Sequence, residues 1–274
     1  MITIANESMI PLLRSLWVEA FGDSDIYVGF FLDHRFNDMT TFVYLVDNLP
    51  VSMAFVFDEE LYYQGDYVKA GYIYGVATED HHRGKGYSTK VLKHIRTLYP
   101  TTFLVPATES LFDFYEKKGY KRAFTIKEMQ LSYHQVEPSK VHYSLVSISP
   151  EDYKNIRDAS FQREGYIRWS LSSITYTLIE NEYWKGKALK VTPANGSSKE
   201  DILLYRYDKK QVYIKETTLS GQELMDISYL LMKEHKVDKC NIRLPSDWKS
   251  NGKSFGMLHS SYKVENGYCN LVLD

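Results

Sequence analysis

The stretch from Tyr74 to Ser88 constrains this chain more than any other. An apolar, β-branched run ends at Thr78, a short polar loop follows, and Arg83-Gly84-Lys85-Gly86 opens an amphipathic stretch of helical spacing. A strand feeding a glycine-containing turn at a helix N-terminus makes an anion site, because unpaired N–H groups and the positive end of the helix dipole converge there. Gly84 and Gly86 remove the side chains that would keep a phosphate from the backbone, while Arg83 and Lys85 add charge at the rim. The chemistry invited is capture of a pyrophosphate.

With 274 residues, the chain is long enough for two cores of ordinary size. Its 33 basic and 35 acidic residues nearly cancel, to −2, and no Lys/Arg-dense block stands out, so a nucleic-acid partner is not expected. A hydrophobic content of 44% fits a soluble globular protein. Cys240 and Cys269 stand far apart, which reads as two reduced thiols and a cytoplasmic address. Residues 1–7 lack the basic and apolar regions of a signal peptide, and no apolar run reaches membrane-spanning length, so no membrane partner is expected either.

Helical spacing of Leu12, Leu13, Leu16, Trp17 and Phe21 predicts a first helix broken at Gly22, and Ile26, Phe30 and Phe31 a second ending near Phe36. Strand-like runs follow at 41–46, 51–57 and 67–78, with turns at Asn48-Leu49-Pro50 and Gln64-Gly65-Asp66, so antiparallel meandering is expected. A helix over 84–98 buries Val91, Leu92 and Ile95, a strand over 102–105 stops at Pro106, a helix over 109–118 ends at Gly119, and a strand covers 122–133. Gln135 to Lys140 has linker composition, which predicts domains over 1–135 and 140–274. Beyond it, Ser149-Pro150 starts a helix, 167–184 reads as another, and Asn195-Gly196-Ser197-Ser198 as a loop tip. Strands at 202–207 and 211–217 flank Asp208-Lys209-Lys210, and a helix over 221–235 precedes a strand over 239–244.

The second half repeats the first. Tyr74 and Tyr213, Thr78 and Thr217, and Pro106 and Pro245 share one constant offset, and Phe21 matches Phe161 with a shift larger by one. That offset places Glu223 and Met225 opposite Gly84 and Gly86, where negative charge and bulk would spoil an anion site.

Two glycine-loop families fail on spacing. A Walker loop needs Gly-x-x-x-x-Gly-Lys-Ser/Thr, and a dinucleotide fingerprint needs a third glycine within a parallel βαβ unit. The surrounding residues instead resemble the GNAT acetyltransferase superfamily. Val76-Ala77-Thr78 before Arg83-Gly84-Lys85-Gly86 looks like its strand and pyrophosphate loop. Phe103-Leu104-Val105-Pro106-Ala107 before Phe114-Tyr115-Glu116-Lys117-Lys118-Gly119-Tyr120 looks like its next strand and helix. The likeness is specific from Gly71 to Tyr120 and weaker over 1–135. It departs at His81, where the superfamily usually carries Gln or Arg.

The resemblance implies a mixed α/β (α+β) fold of two GNAT-like domains, each a mostly antiparallel mixed sheet flanked by helices. The first would be catalytic and the second degenerate. Val76, Ala77 and Thr78 would extend their strand with the pantetheine arm, and Arg83, Gly84, Lys85, Gly86, Tyr87 and Ser88 would surround the pyrophosphate of acetyl-CoA, the co-substrate. Tyr115 falls where a tyrosine often sits beside the cofactor sulfur. A phenol of pKa ~10 stays protonated at neutral pH and donates to a leaving thiolate. Glu109 is the candidate base, with Glu59, Glu60 or a bound water as alternatives. No metal is expected, since the adjacent Asp80, His81 and His82 do not converge readily on one ion.

Plainer roles stand beside these. For Tyr115 the plainer role is that of a half-buried helix residue, set behind the catalytic one. Tyr62, Tyr63, Tyr67, Tyr72 and Tyr74 suit a core face as well as an acceptor pocket, and Asp23, Asp25 and Tyr27 a helix cap as well as an acceptor lid. The expected activity is transfer of an acetyl group to an amine, with a small-molecule acceptor placed ahead of a protein. A non-catalytic acyl-CoA sensor or partner-binding module is the alternative, and homo-oligomerisation is left open.

Overall fold

The structure, a computed structural model, describes residues 1–194, 199–246 and 252–271. The loop tip expected at 195–198 lies outside the described residues. A short strand β1 (Ile2–Ile4) precedes helix α1 (Ile10–Phe21), which has Pro11 in its first turn and ends on left-handed Gly22. Helix α2 (Asp25–Arg35) starts where the Ser24 hydroxyl accepts from the Tyr27 N–H. Strands β2 (Thr41–Val46), β3 (Leu49–Tyr63) and β4 (Asp66–Thr78) then meander. Their turns, at Asp47-Asn48 and Gln64-Gly65, hold both central residues at positive φ, as the twist of tight hairpins requires. Helix α3 (Tyr87–Leu98), strand β5 (Thr102–Leu104), helix α4 (Glu109–Glu116) and strand β6 (Lys121–Ser132) follow.

The second stretch runs through β7 (Tyr143–Ser147), α5 (Pro150–Phe161), the two-residue β8 (Ile167–Arg168), α6 (Leu171–Tyr183) and β9 (Lys187–Pro193). It continues through β10 (Asp201–Tyr207), β11 (Gln211–Thr217), α7 (Gly221–His235), β12 (Lys239–Pro245) and β13 (Lys253–His259). The single helix expected over 167–184 is instead β8 followed by α6, because the Ser170 hydroxyl accepts from Ser173 N–H and starts the helix there. No helix among the described residues is long and apolar enough to cross a membrane.

Two compact units emerge, Met1–Ala123 with Gly256–Val264, and Phe124–Phe255 with Glu265–Asp274. These bounds differ from the division at 135–140, because strand pairing rather than linker composition decides which unit a segment joins. In the first unit the strands run β1-β2-β3-β4-β5, antiparallel except for the parallel β4/β5 pair, and residues Met257–His259 of β13 pair antiparallel with β5. In the second they run β7-β9-β10-β11-β12, antiparallel except for the parallel β11/β12 pair, and β6 pairs antiparallel with β12. Each unit is thus a mostly antiparallel mixed sheet flanked by helices; the first takes its sixth strand from far downstream, and the second from the stretch just before β7.

On one face of the first sheet, α3 and α4 bury Val91, Leu92, Ile95, Phe112 and Tyr115 against Val56, Ile73, Leu104 and Met257. Trp17 and Phe31 pack on Phe55 and Tyr74, with ring centroids 4.5–5.7 Å apart. In the second unit, Val191, Leu203, Val212, Ile214, Ile227, Leu231, Cys240 and Ile242 form the corresponding core. Beside it Arg157 and Glu216, both fully buried, pair at 2.9 Å, and Tyr153 and Tyr268 hydroxyls also donate to Glu216. A pair so deeply desolvated is tolerated only because its remaining hydrogen-bonding capacity is met.

Candidate functional site

Gly75 begins the site. The β3/β4 register runs Met53↔Ala77 and then Phe55↔Tyr74, so Gly75 and Val76 together face Ala54 as a β-bulge. Gly75 holds φ +60°, and a Cβ there would lie 3.0 Å from both the Phe55 and the Trp17 rings. Only glycine satisfies the dihedral and the space together. A bulge bends its strand, and β4 does part from its other neighbour here. The parallel ladder to β5 holds only Gly71↔Thr102 and Tyr72↔Phe103, the last closed by stacking of Tyr72 on Phe103 at 5.0 Å. From Ile73 to Thr78 the β5-facing edge of β4 is free of that ladder. The isolated glycine in a strand pattern was the sequence signal for this bulge, and the sequence reading assigned it no role.

Beyond Thr78 the chain makes a 3₁₀ turn at Asp80–His82, then a loop into α3. Gly84 (φ +76°) and Gly86 (φ +77°) lie in the left-handed region, and a Cβ on either would meet no atom within 4 Å, so the space above both is open. Gly86 caps α3 without a side chain, and Lys90 N–H bonds to Gly86 O. The N–H groups of Tyr87, Ser88 and Thr89 therefore have no intrahelical acceptor. The helix expected from Gly84 begins at Tyr87, because two left-handed residues precede it.

Side chains brace this loop. Arg83 Nε donates to Thr78 O at 3.1 Å and its guanidinium pairs with Asp80 at 2.7 Å. His82 Nδ1 lies 2.5 Å from Glu79 Oε2, and Glu19 accepts from the Asp80 N–H at 2.9 Å. Ser52 Oγ donates to Ala77 O at 2.8 Å and lies 2.9 Å from Thr78 Oγ1. Tyr87 stacks on Tyr44 at 4.4 Å with Lys90 over both rings, while Lys85 and His81 are exposed. Val76, Ala77 and Thr78 thus lie on the free edge of β4, with Arg83 through Ser88 directly after it.

Tyr115 lies on α4, which follows β5. It is 8% exposed, its ring edge-on to Phe114 at 5.1 Å and Tyr120 at 5.7 Å. Among the described residues its hydroxyl makes no hydrogen bond. Burial, and then the neighbouring Tyr120 phenol, hold the Tyr115 phenol well above its ordinary range. Tyr120, whose hydroxyl lies 3.0 Å from Thr102 Oγ1, is pushed up to about 12 by burial.

The carboxylate candidates are scattered. Glu109 opens α4 past the end of β5, with a side chain 72% exposed and paired to Arg122, which also bonds Glu116 at 2.9 Å. Glu59 is buried but pairs in register with Ala70, and the half-buried Glu60 with Lys69, on the far side of the Gly71–Tyr72 rungs from the free edge. The Trp17 indole donates to Asp23 at 2.8 Å and Asp25 pairs with Arg14, so both aspartates brace the α1–α2 turn. Among the described residues no group of three or more His, Cys, Asp or Glu side chains is arranged to hold a metal ion.

The second unit repeats the bulge but not the opening. Its register runs Leu204↔Glu216 and then Tyr205↔Ile214, which bulges Lys215. The β11/β12 ladder, however, continues from Gln211↔Lys239 to Ile214↔Ile242, up to the bulge itself. Only residues 218–220 separate β11 from α7, where 79–86 separate β4 from α3. Glu223 and Met225, which the constant offset places opposite Gly84 and Gly86, lie inside α7, because the loop itself is missing.

Residues 2–123 match the family described as the acetyltransferase (GNAT) domain. The matched stretch covers the Met1–Ala123 part of the first unit and not Gly256–Val264, and a fold of this kind supports acyl transfer in general. Solved structures agree on architecture. A conserved protein from Enterococcus faecalis V583 aligns with a TM-score of 0.73 at 15% identity, over 94% of this chain and 71% of its own. A GCN5-related N-acetyltransferase from Anabaena variabilis ATCC 29413 aligns at 0.71 and 14% identity, over 94% and 72%. Eis1 from Mycobacterium abscessus aligns at 0.68 and 12% identity, over 95% and 73%. At these identities the likeness is one of fold. No curated protein matches the sequence.

Proposed function

We propose that this chain is an acyl-CoA-dependent N-acetyltransferase in which the first unit is catalytic and the second a degenerate, structural copy. The observation that carries the proposal is the free edge of β4 running straight into the open cradle of Gly84 and Gly86. A pantetheine arm would pair along Val76 and Thr78, and the pyrophosphate would rest on the N–H groups of Tyr87 and Ser88 with Arg83 and Lys85 at its rim. Thr78 O keeps a second lone pair for the cofactor while it accepts from Arg83.

The reaction is attack by a neutral amine on the thioester carbonyl, forming the C–N bond and releasing the C–S bond. Much of its acceleration comes from positioning. Tyr115, kept protonated by burial, gives its proton to the departing thiolate. Of the three carboxylates, Glu59 and Glu60 pair in register away from the free edge, so the amine proton is assigned to Glu109, at the start of α4, directly or through water. Isothermal titration with acetyl-CoA, joined to a thiol-release screen across amines, tests the proposal. One site per chain and amine-dependent CoA release are expected. No binding, or two equivalent sites, contradicts it.

The exposure of Glu109 and its engagement by Arg122 favour one other reading, a sensor that binds acyl-CoA without turnover. Binding without thiol release from any amine would establish that alternative.

A further inference from the structure

We propose that the cleft where β4 leaves β5 admits only short acyl groups, and that the stacked side chains of Tyr72 and Phe103 set the limit. The inference rests on the acyl-CoA reading of the first unit and specifies which donors it takes. The β4/β5 ladder ends at the Tyr72↔Phe103 rung. Pro106, just past β5, has no N–H with which to resume it. The cleft is therefore open toward Val76 and Thr78 and blind toward Tyr72.

Its blind end is closed on both faces of the sheet. Successive strand residues point to opposite faces, and Ile73 and Leu104 join the core under α3 and α4 with Phe112 and Tyr115. Tyr72 and Phe103, one position earlier on each strand, lie on the other face. There Tyr72 also lies 6.2 Å from Phe57 and 6.0 Å from Tyr74. The Tyr72 and Phe103 rings run nearly parallel, at 21°, with centroids 5.0 Å apart. Backbone thus closes the end of the cleft, the ring stack covers one face, and Ile73, Leu104 and Tyr115 cover the other. All five side chains are buried, so the blind end has no outlet to solvent.

The length available follows from the strand. A pantetheine arm paired along Val76 and Thr78 brings its thioester beside the bulge at Gly75. Ile73 and Tyr74 alone separate Gly75 from the rung, about 7 Å at ~3.3 Å per residue. Contact with the rung at ~3.5–4 Å takes about half of that. The remaining ~3 Å holds about two carbons beyond the carbonyl, at bonds of ~1.5 Å. Acetyl and propionyl groups fit this space, and a hexanoyl group does not. An open apolar cleft would behave in the opposite way, since each methylene buried strengthens binding about fourfold.

Isothermal titration of the full chain with acetyl-, propionyl- and hexanoyl-CoA tests this. Acetyl- and propionyl-CoA should bind within about threefold of each other, and hexanoyl-CoA at least about tenfold more weakly than acetyl-CoA. Phe103→Ala removes the stack and should bring hexanoyl-CoA to within about threefold of acetyl-CoA. Phe103→Leu keeps more of the buried volume and should narrow the gap about threefold, which serves if Phe103→Ala does not fold. Hexanoyl-CoA binding the wild type as tightly as acetyl-CoA overturns the length limit and leaves the acyl-CoA reading standing. A tenfold gap that a folded Phe103 variant does not narrow overturns the assignment to the stack. If no thioester binds, the acyl-CoA reading fails and this inference fails with it.

Discussion

Tyr115 and Glu109 illustrate how differently single residues yield to sequence. The motif placed Tyr115 on a helix after the short strand, and its burial supplies what the motif could not, a phenol protected from ionisation. Tyr115→Phe should lower turnover about 10²-fold while leaving acetyl-CoA affinity within about twofold. Unchanged turnover removes Tyr115 as the acid. Because its folded pKa is raised, Tyr115 stays protonated and its burial stabilises the fold fully below the phenol's ordinary pKa of ~10. That contribution is lost only as pH climbs toward the folded value, so the acid should impose no alkaline limb on turnover below about pH 10. Glu109→Gln should lower turnover about tenfold while leaving acetyl-CoA affinity within about twofold. Unchanged turnover assigns the proton to water. The substitution should change stability by under about 1 kcal/mol, since an exposed pair to Arg122 contributes little.

At the scale of elements, the strand–loop–helix unit was legible because its signals are local. Left-handed Gly84 and Gly86, the helix face of Val91, Leu92 and Ile95, and the Pro and Gly punctuation all lie within a few residues of what they determine. The consequence of Gly75 was not legible, because the bulge exists only against Ala54 and the parting only against Phe103. Gly75→Val should cost about 1–3 kcal/mol of stability through its positive φ and its clash with Phe55 and Trp17. Acetyl-CoA binding should weaken by more than that destabilisation accounts for, as read by titration well below the variant's melting temperature. Affinity equal to wild type would separate the bulge from the cofactor site. Strands β7, β9 and β13 were missed for a similar reason. They carry weak alternation and gain their definition from the neighbours they pair with.

At the scale of the whole molecule, the repeat seen as a constant offset is a repeat of sheet order, while the segments that complete each sheet are exchanged along the chain. Met257 is fully buried in the core beneath Tyr115, although it lies far downstream of every other member of that cluster. A chain ending at residue 135 should therefore fail to fold cooperatively, because β5 loses its antiparallel partner and the core loses Met257. A soluble fragment with a sharp melt and wild-type acetyl-CoA affinity would refute this.

The sequence by itself determined the glycine loop, the kind of sheet, the helices around it and the presence of a second copy, since each rests on periodicity, turn chemistry or motif spacing read along the chain. Only the tertiary structure decided where β4 leaves β5, why the second copy lacks the loop, and which segment closes each sheet. Those features depend on pairings between residues far apart in sequence, and strand register is fixed by partners that no local pattern names.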